Sequence, residues 1–263
     1  MDALADTLSH LHRALGDVIT GAFDADAIRG LSDDELLGVM GTAAGMIRRL
    51  EAVLVEGTGQ VQDRSETGTR DGRLTERLGC RSVSELVQRV TLSAKHTVRD
   101  YEHAARGVQE RIAPSSGERL PAEYPAIRAA LIDGQVGVDG VVAVLTPLGS
   151  LAGRAGRVAH LAADEELAAS ARGEGVDGAP PAGAEDLRAL AQVWAVYLDP
   201  DGAEPRETVA MRNRGLHLGT GRNGLIPIRG NLLPETAAQL QRIFDALLNP
   251  KLDGPRFTTT HPG

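Results

Sequence analysis

Residues 31–57, "LSDDELLGVMGTAAGMIRRLEAVLVEG", constrain the fold more than any other stretch of the chain. Ser32 and Glu35 make a capping box, in which each side chain satisfies a backbone donor of the first helical turn. The apolar positions that follow are Leu36, Met40, Ala43, Ile47, Leu50 and Leu54, spaced alternately four and three. That period belongs to one long helix with an apolar stripe, and such a helix is stable only when its stripe is covered. The rest of the first half offers partners. Leu4, Leu8, Leu11 and Leu15 recur at helix spacing up to Gly21. A third helix starts at Ser82, again with a Glu three residues on, and ends near Thr91. A fourth carries Ala94, Val98, Tyr101, Ala105, Val108 and Ile112. The stripes 36–54 and 94–112 are expected to pack against each other, with Ile47 in the core.

Residues 113–125, "APSSGERLPAEYP", break the pattern with Pro, Gly and Ser. Two short helices then join at Gly134, with Asp139 as N-cap of the second. A helix is predicted over 155–172, followed by a loop at 173–184 too polar and too rich in Gly and Pro to pack. Another covers 185–198, with Trp194 toward the core. Residues 206–229 switch to a strand-like period, and Pro234 opens a last helix, "LPETAAQLQRIFDALL". The fold expected is mainly α, a multi-helix bundle with a small β-hairpin inserted before the last helix. Its parts are an N-terminal helical part over 1–112, a C-terminal helical part over 122–250 with the hairpin at 209–230, and a tail over 251–263.

Composition narrows what such a bundle can do. Only 3% of the 263 residues are aromatic, so Leu, Val, Ile and Ala must fill the core. A net charge of -8 argues against a dedicated nucleic-acid coat, though local basic patches survive it. Cys80 is the single cysteine, which excludes an intrachain disulfide and a Cys-based zinc site. No apolar run approaches the roughly 18 residues of a membrane span, and the acidic amphipathic N-terminus is no signal peptide. These features lead us to expect a soluble cytoplasmic protein that engages no membrane.

Several motifs invite chemistry and fail on context. "GTGRNG" at 219–224 spells a dinucleotide loop, but "LIPIRG" follows it where a helix must hold the pyrophosphate. Asn223-Gly224 reads instead as the turn of a hairpin between roughly 209–218 and 224–230. "LDPDGAEPRE" lacks the ligands of a calcium loop after Asp201 and reads as an acidic turn. The seven histidines make no H-E-x-x-H, and His96 and His103 share only a helix face. No G-x-S-x-G is present. No catalytic residue, cofactor or metal is expected.

Two stretches have helix–turn–helix spacing, "SVSELVQRVTLSAKHTVRDYEHAARG" and "AIRAALIDGQVGVDGVVAVL". Such helical hairpins are most often plain packing units, and the second is nearly free of basic residues. The β-hairpin is the better candidate for phosphate. Arg206, Arg212, Arg214, Arg222 and Arg229 face only Glu207 there, whereas residues 1–62 carry ten acids against four arginines. Arg212 and Arg214 share strand parity with Leu216 and Leu218, so a bulge at Gly215 is needed for all to point outward.

Three blocks carry a resemblance: "LPAEYPAIRAALIDGQVGVDGVVAVL", "YLDPDGAEPRE" with "RNRGLHL", and "GLIPIRGNLLPETAAQLQRIFDAL". In wording, order and spacing they resemble the bacterial domain of unknown function 222, also called the 13-E-12 repeat family, over roughly residues 30–250. The chain departs from it at Leu233, where Asp is usual. The resemblance implies an actinobacterial-type domain that precedes an HNH nuclease domain, toward which the tail 251–263 leads. The paired histidines, Asn and Cys-x-x-Cys knuckles of such a nuclease are missing here. The function expected is a non-catalytic accessory module that positions or regulates an HNH endonuclease on DNA. The alternatives are a stand-alone interaction or oligomerisation module, such as a homodimer, and a helix-turn-helix regulator.

Overall fold

Helices supply nearly all of the regular structure, as the periodicity predicts. In a computed structural model, residues 2–67, 69–113, 117–149, 151, 156–175, 178–199, 211–221 and 224–248 are described. The chain divides into two units, residues 1–198 and 199–263. Arg206, Arg222 and the tail 251–263 lie outside the described residues.

The first unit runs through α1 (Asp2–Asp24), a 3-10 turn (Ala27–Gly30), α2 (Asp33–Glu66), α3 (Leu74–Arg77), α4 (Val83–Thr91) and α5 (Lys95–Val108). A minimal antiparallel pair, β1 (Arg111–Ile112) with β2 (Arg119–Leu120), leads into α6 (Pro125–Ile132), α7 (Val138–Gly149), α8 (Arg157–Arg172) and α9 (Ala184–Leu198). The capping box forms as expected. Ser32 Oγ accepts the Glu35 N–H, and Glu35 Oε2 accepts the Ser32 hydroxyl at 2.7 Å and the Ser32 N–H at 2.9 Å, which together hold the Glu35 carboxyl below its ordinary range. Ser82 caps α4 in the same way, its Oγ accepting the Glu85 N–H at 3.2 Å. Gly134 joins α6 to α7 in the left-handed region, at φ 71, as the reading of that junction requires.

α7 sits against both α5 and α9, while α2 packs on α5 and α6 on α8. Val141, Val144 and Leu148 of α7 meet Val98, Ile127, Leu167 and Leu187 in one aliphatic core. Small residues let the helices approach closely. Gly107 of α5 lies so near Leu145 and Tyr124 that a Cβ would not fit. Helices before and after residue 112 therefore share a single core. Trp194 is half-buried against it, edge-on to Tyr197 with ring centroids 5.4 Å apart.

Four expectations are corrected. Ile47 is 59% exposed, so the stripe 36–54 does not pack along its length as expected, although its Leu54 end meets the core. α2 instead turns a neighbouring face inward, with Val55, Thr58, Gly59 and Ser65 buried. Gly59 admits the Gln109 side chain, whose Nε2 donates to Asp63 Oδ2 at 3.0 Å. Ile112 is not helical, because α5 ends at Val108 and Gln109 turns to extended backbone. Asp139 lies inside the first turn of α7, and the cap comes from across the core: Glu51 Oε2 accepts the Val138 N–H at 2.9 Å. The described part of 173–184 is irregular as expected up to Gly183, with α9 starting at Ala184, but the Ala182 N–H donates to the Ser170 carbonyl at 2.9 Å, pinning it to α8.

The second unit contains a helical turn at 211–213, then β3 (Gly215–Leu218), β4 (Ile228–Asn231) and α10 (Pro234–Leu248). Pro234 opens α10, as its fixed φ favours. Of the predicted strands 209–218 and 224–230, residues 209–210 lie outside the described ones, 211–213 are helical and β4 starts only at Ile228, which is the fourth correction.

Candidate nucleic-acid interface

β3 and β4 pair antiparallel with Gly215 opposite Asn231, Leu216 opposite Gly230, His217 opposite Arg229 and Leu218 opposite Ile228. Side chains alternate along a strand, so Leu216, Leu218 and Ile228 share one face while His217, Arg229 and Asn231 share the other. Gly230 is required by this register, since a Cβ there would strike the Gly215 carbonyl. Gly224 holds φ 77 in the connection, as the turn reading demands. The Gly219 N–H donates to the Pro227 carbonyl at 2.8 Å, which closes the base of that connection. Pro227 thus contributes its acceptor where it has no donor to give.

Of the predicted cluster, Arg212, Arg214 and Arg229 are described, and all three are exposed. Arg229 stands beside His217 on the polar face. Arg212 and Arg214 flank the entry to β3, where Arg214 Nη1 meets Met211 Sδ at 2.8 Å. Asn231 Nδ2 donates to the Asn213 carbonyl at 3.4 Å and ties this entry to the end of β4. The parity conflict with Leu216 and Leu218 does not arise, and no bulge is needed. The helical turn at 211–213 takes both arginines out of the strand before alternation begins.

The two helix–turn–helix stretches part company. α7 is buried along Val138, Gly140, Val141, Ala143, Val144, Leu145 and Leu148, so α6–α7 is a packing unit that cannot present its second helix to a groove. α4–α5 keeps an outer face.

A cavity of about 340 Å³ in the first unit is lined by Arg48, Glu51, Gln135, Asp139 and Leu187, among others. Its charged walls already hold backbone. Arg48 Nε donates to the Gly134 carbonyl at 2.6 Å, and Glu51 caps α7. Sequence reasoning missed a second cluster altogether. Asp164, 0% exposed, accepts the N–H groups of Ala126 at 2.7 Å and Ile127 at 3.1 Å. Burial pushes its carboxyl above the ordinary value, and these two bonds pull the other way. The Tyr124 ring lies 4.6 Å from that of His160, and Tyr124 Oη and His160 Nε2 are both buried without a hydrogen-bond partner among the described residues. Burial likewise raises the Tyr124 phenol. No sequence signal marks Asp164, whose partners are 37 and 38 residues away.

Among the described residues no group of three or more His, Cys, Asp or Glu could hold a metal ion, and no helix is long and apolar enough to cross a membrane. No curated protein and no solved structure matches the chain. A family model does match, over residues 38–256, which include every element from α2 to α10 apart from the first turn of α2. The chain therefore belongs to the family described as Domain of unknown function (DUF222).

Proposed function

We propose that this chain is a non-catalytic accessory module that contacts DNA through the polar face of its β-hairpin. There it positions the HNH nuclease domain that the resemblance implies. The observation that carries this reading is the exposure of Arg229 beside His217 on that face, and of Arg212 and Arg214 at the entry to β3, on a chain of net charge -8. Arg suits phosphate because its planar fork donates two hydrogen bonds at once. The bland alternative is a solvated hairpin face. Alanine at 212, 214 and 229 separates the two. If the arginines meet phosphate, affinity falls for all DNA sequences alike, and the slope of log K against log salt drops by about one unit per lost contact. Unchanged affinity makes the face merely solvated. In the same assay the chain leaves DNA uncut with Mg²⁺, Mn²⁺ or Zn²⁺. Metal-dependent nicking that survives rigorous purification contradicts the non-catalytic part.

A stand-alone interaction or oligomerisation module is the second reading, and one observation favours it. Leu4, Leu11, Val18 and Phe23 of α1, with Met40, Ile47 and Leu50 of α2, are exposed apolar side chains on long amphipathic helices. Contiguous exposed apolar surface marks interaction sites in soluble proteins.

A further inference from the structure

The outer face of α5 is basic without interruption. α5 turns Val98, Tyr101, Ala104, Ala105 and Val108 into the core. At about 100° per residue, the opposite arc of about 100° holds Lys95, His96, Arg99, His103 and Arg106, and no other residue of the helix. His103 is half-buried and the other four are exposed. Of the two acids that flank the arc, Glu102 Oε1 accepts the Ser84 hydroxyl of α4 at 2.6 Å, and Asp100 is half-buried at the edge of the arc, where its charge reaches His103 alone among these residues. Among the described residues, Lys95, Arg99 and Arg106 make no ion pair, whereas Arg89 of α4 is engaged by Glu85 at 2.6 Å. Arg111 extends the basic run, its Nη2 donating to the Arg106 carbonyl at 3.2 Å. Residues 70–111 carry nine Arg or Lys against six acids, a local excess of three positive charges on a chain of net charge -8.

The geometry suits a duplex. α4 ends at Thr91, a three-residue turn over 92–94 follows with Leu92 in the left-handed region at φ 56, and α5 packs back on α4. That is helix–turn–helix spacing, in which the second helix enters the major groove, about 12 Å wide. From Lys95 to Arg106 the helix rises about 16 Å, the height of roughly five base pairs. No exposed aromatic accompanies the stripe, so stacking on single-stranded bases, the usual device of single-strand binders, is not provided for.

We infer that α5 is the element that lies against duplex DNA, with Lys95, Arg99 and Arg106 neutralising backbone phosphates. The inference rests on the DNA-contacting reading above and assigns that contact to a second surface, in the first unit. The test uses the full chain, a labelled duplex of arbitrary sequence and single-stranded RNA of the same sequence, titrated across a salt series. Lys95→Gln with Arg99→Gln and Arg106→Gln lowers duplex affinity on the order of tenfold or more and cuts the salt slope by about three units. Arg99→Lys with Arg106→Lys keeps most of the binding, which separates lost charge from lost fold. Loss in the α5 variant with full binding in the hairpin alanine variant upholds α5 and overturns the hairpin contact. Full binding in the α5 variant, with an unchanged slope, overturns α5 and leaves the DNA reading to the hairpin. A wild-type chain that binds no duplex, or binds only the RNA, overturns the proposal.

Discussion

At the scale of the residue, the most informative side chain is one the sequence hides. Asp164 sits on α8 yet caps α6, taking two amide N–H groups that would otherwise be orphaned in the core. Asp164→Ala leaves both donors buried and unpaired, at a cost of about 2–4 kcal/mol, read as a drop in the chemical-denaturation midpoint. The pH dependence has a definite sign. Burial raises the folded carboxyl above its ordinary 3.8, so the folded state holds a proton that the unfolded state has released. The contribution of that proton is complete below 3.8 and is lost as pH rises through the higher folded value. Stability of the wild type relative to Asp164→Asn therefore falls as pH climbs from about 4 toward neutrality. A constant difference across that range contradicts the assignment. Capping residues adjacent to their helix, Ser32 and Ser82, were legible because their partners are three residues away. Asp164 and Glu51 were not, because their partners are fixed only when the core closes.

At the scale of the element, α2 shows what periodicity does and does not contain. The spacing of Leu36 to Leu54 correctly announces a helix, and α2 indeed runs from Asp33 to Glu66. It says nothing about which neighbour covers the stripe. The inward face is displaced round the helix toward Val55 and Gly59, about 100° and 140° from the stripe axis, with Thr58 and Ser65 at its near edge. Those residues win because small side chains admit α5 and Gln109, while Arg48 and Glu51 find backbone partners in the Gly134–Val138 turn. The apolar stripe is left facing outward through Met40, Ile47 and Leu50. Ile47→Asp consequently has an outcome opposite to the one its sequence position suggests. The isolated chain keeps its stability within about 0.5 kcal/mol, as exposed substitutions do. Any self-association seen by concentration-dependent light scattering is weakened, because a carboxylate enters the shared apolar surface. Global unfolding of the variant at low protein concentration contradicts the outward placement.

At the scale of the whole molecule, the two units differ in how their apolar residues are used. Every buried apolar residue among those described lies between Val55 and Ala191. In the second unit, Leu216, Leu218 and Ile228 form a clean apolar face by alternation, yet each remains exposed, as do Ile243 and Phe244 of α10. The sequence reading located that hairpin through Asn223-Gly224 and Pro227. It could not know that the strands would carry no core of their own, because alternation reports a face and not what meets it. Stability should therefore reside in the first unit. Residues 1–198 alone are expected to unfold in one cooperative transition with a midpoint within about 3 °C of the full chain, since nothing in its core is removed. Residues 199–263 alone are expected to show little helical circular dichroism, because a 15-residue helix and a two-stranded hairpin are each marginal in water without a covered face. A shorter chain that melts broadly, or far below the full one, contradicts this assignment of stability to the first unit.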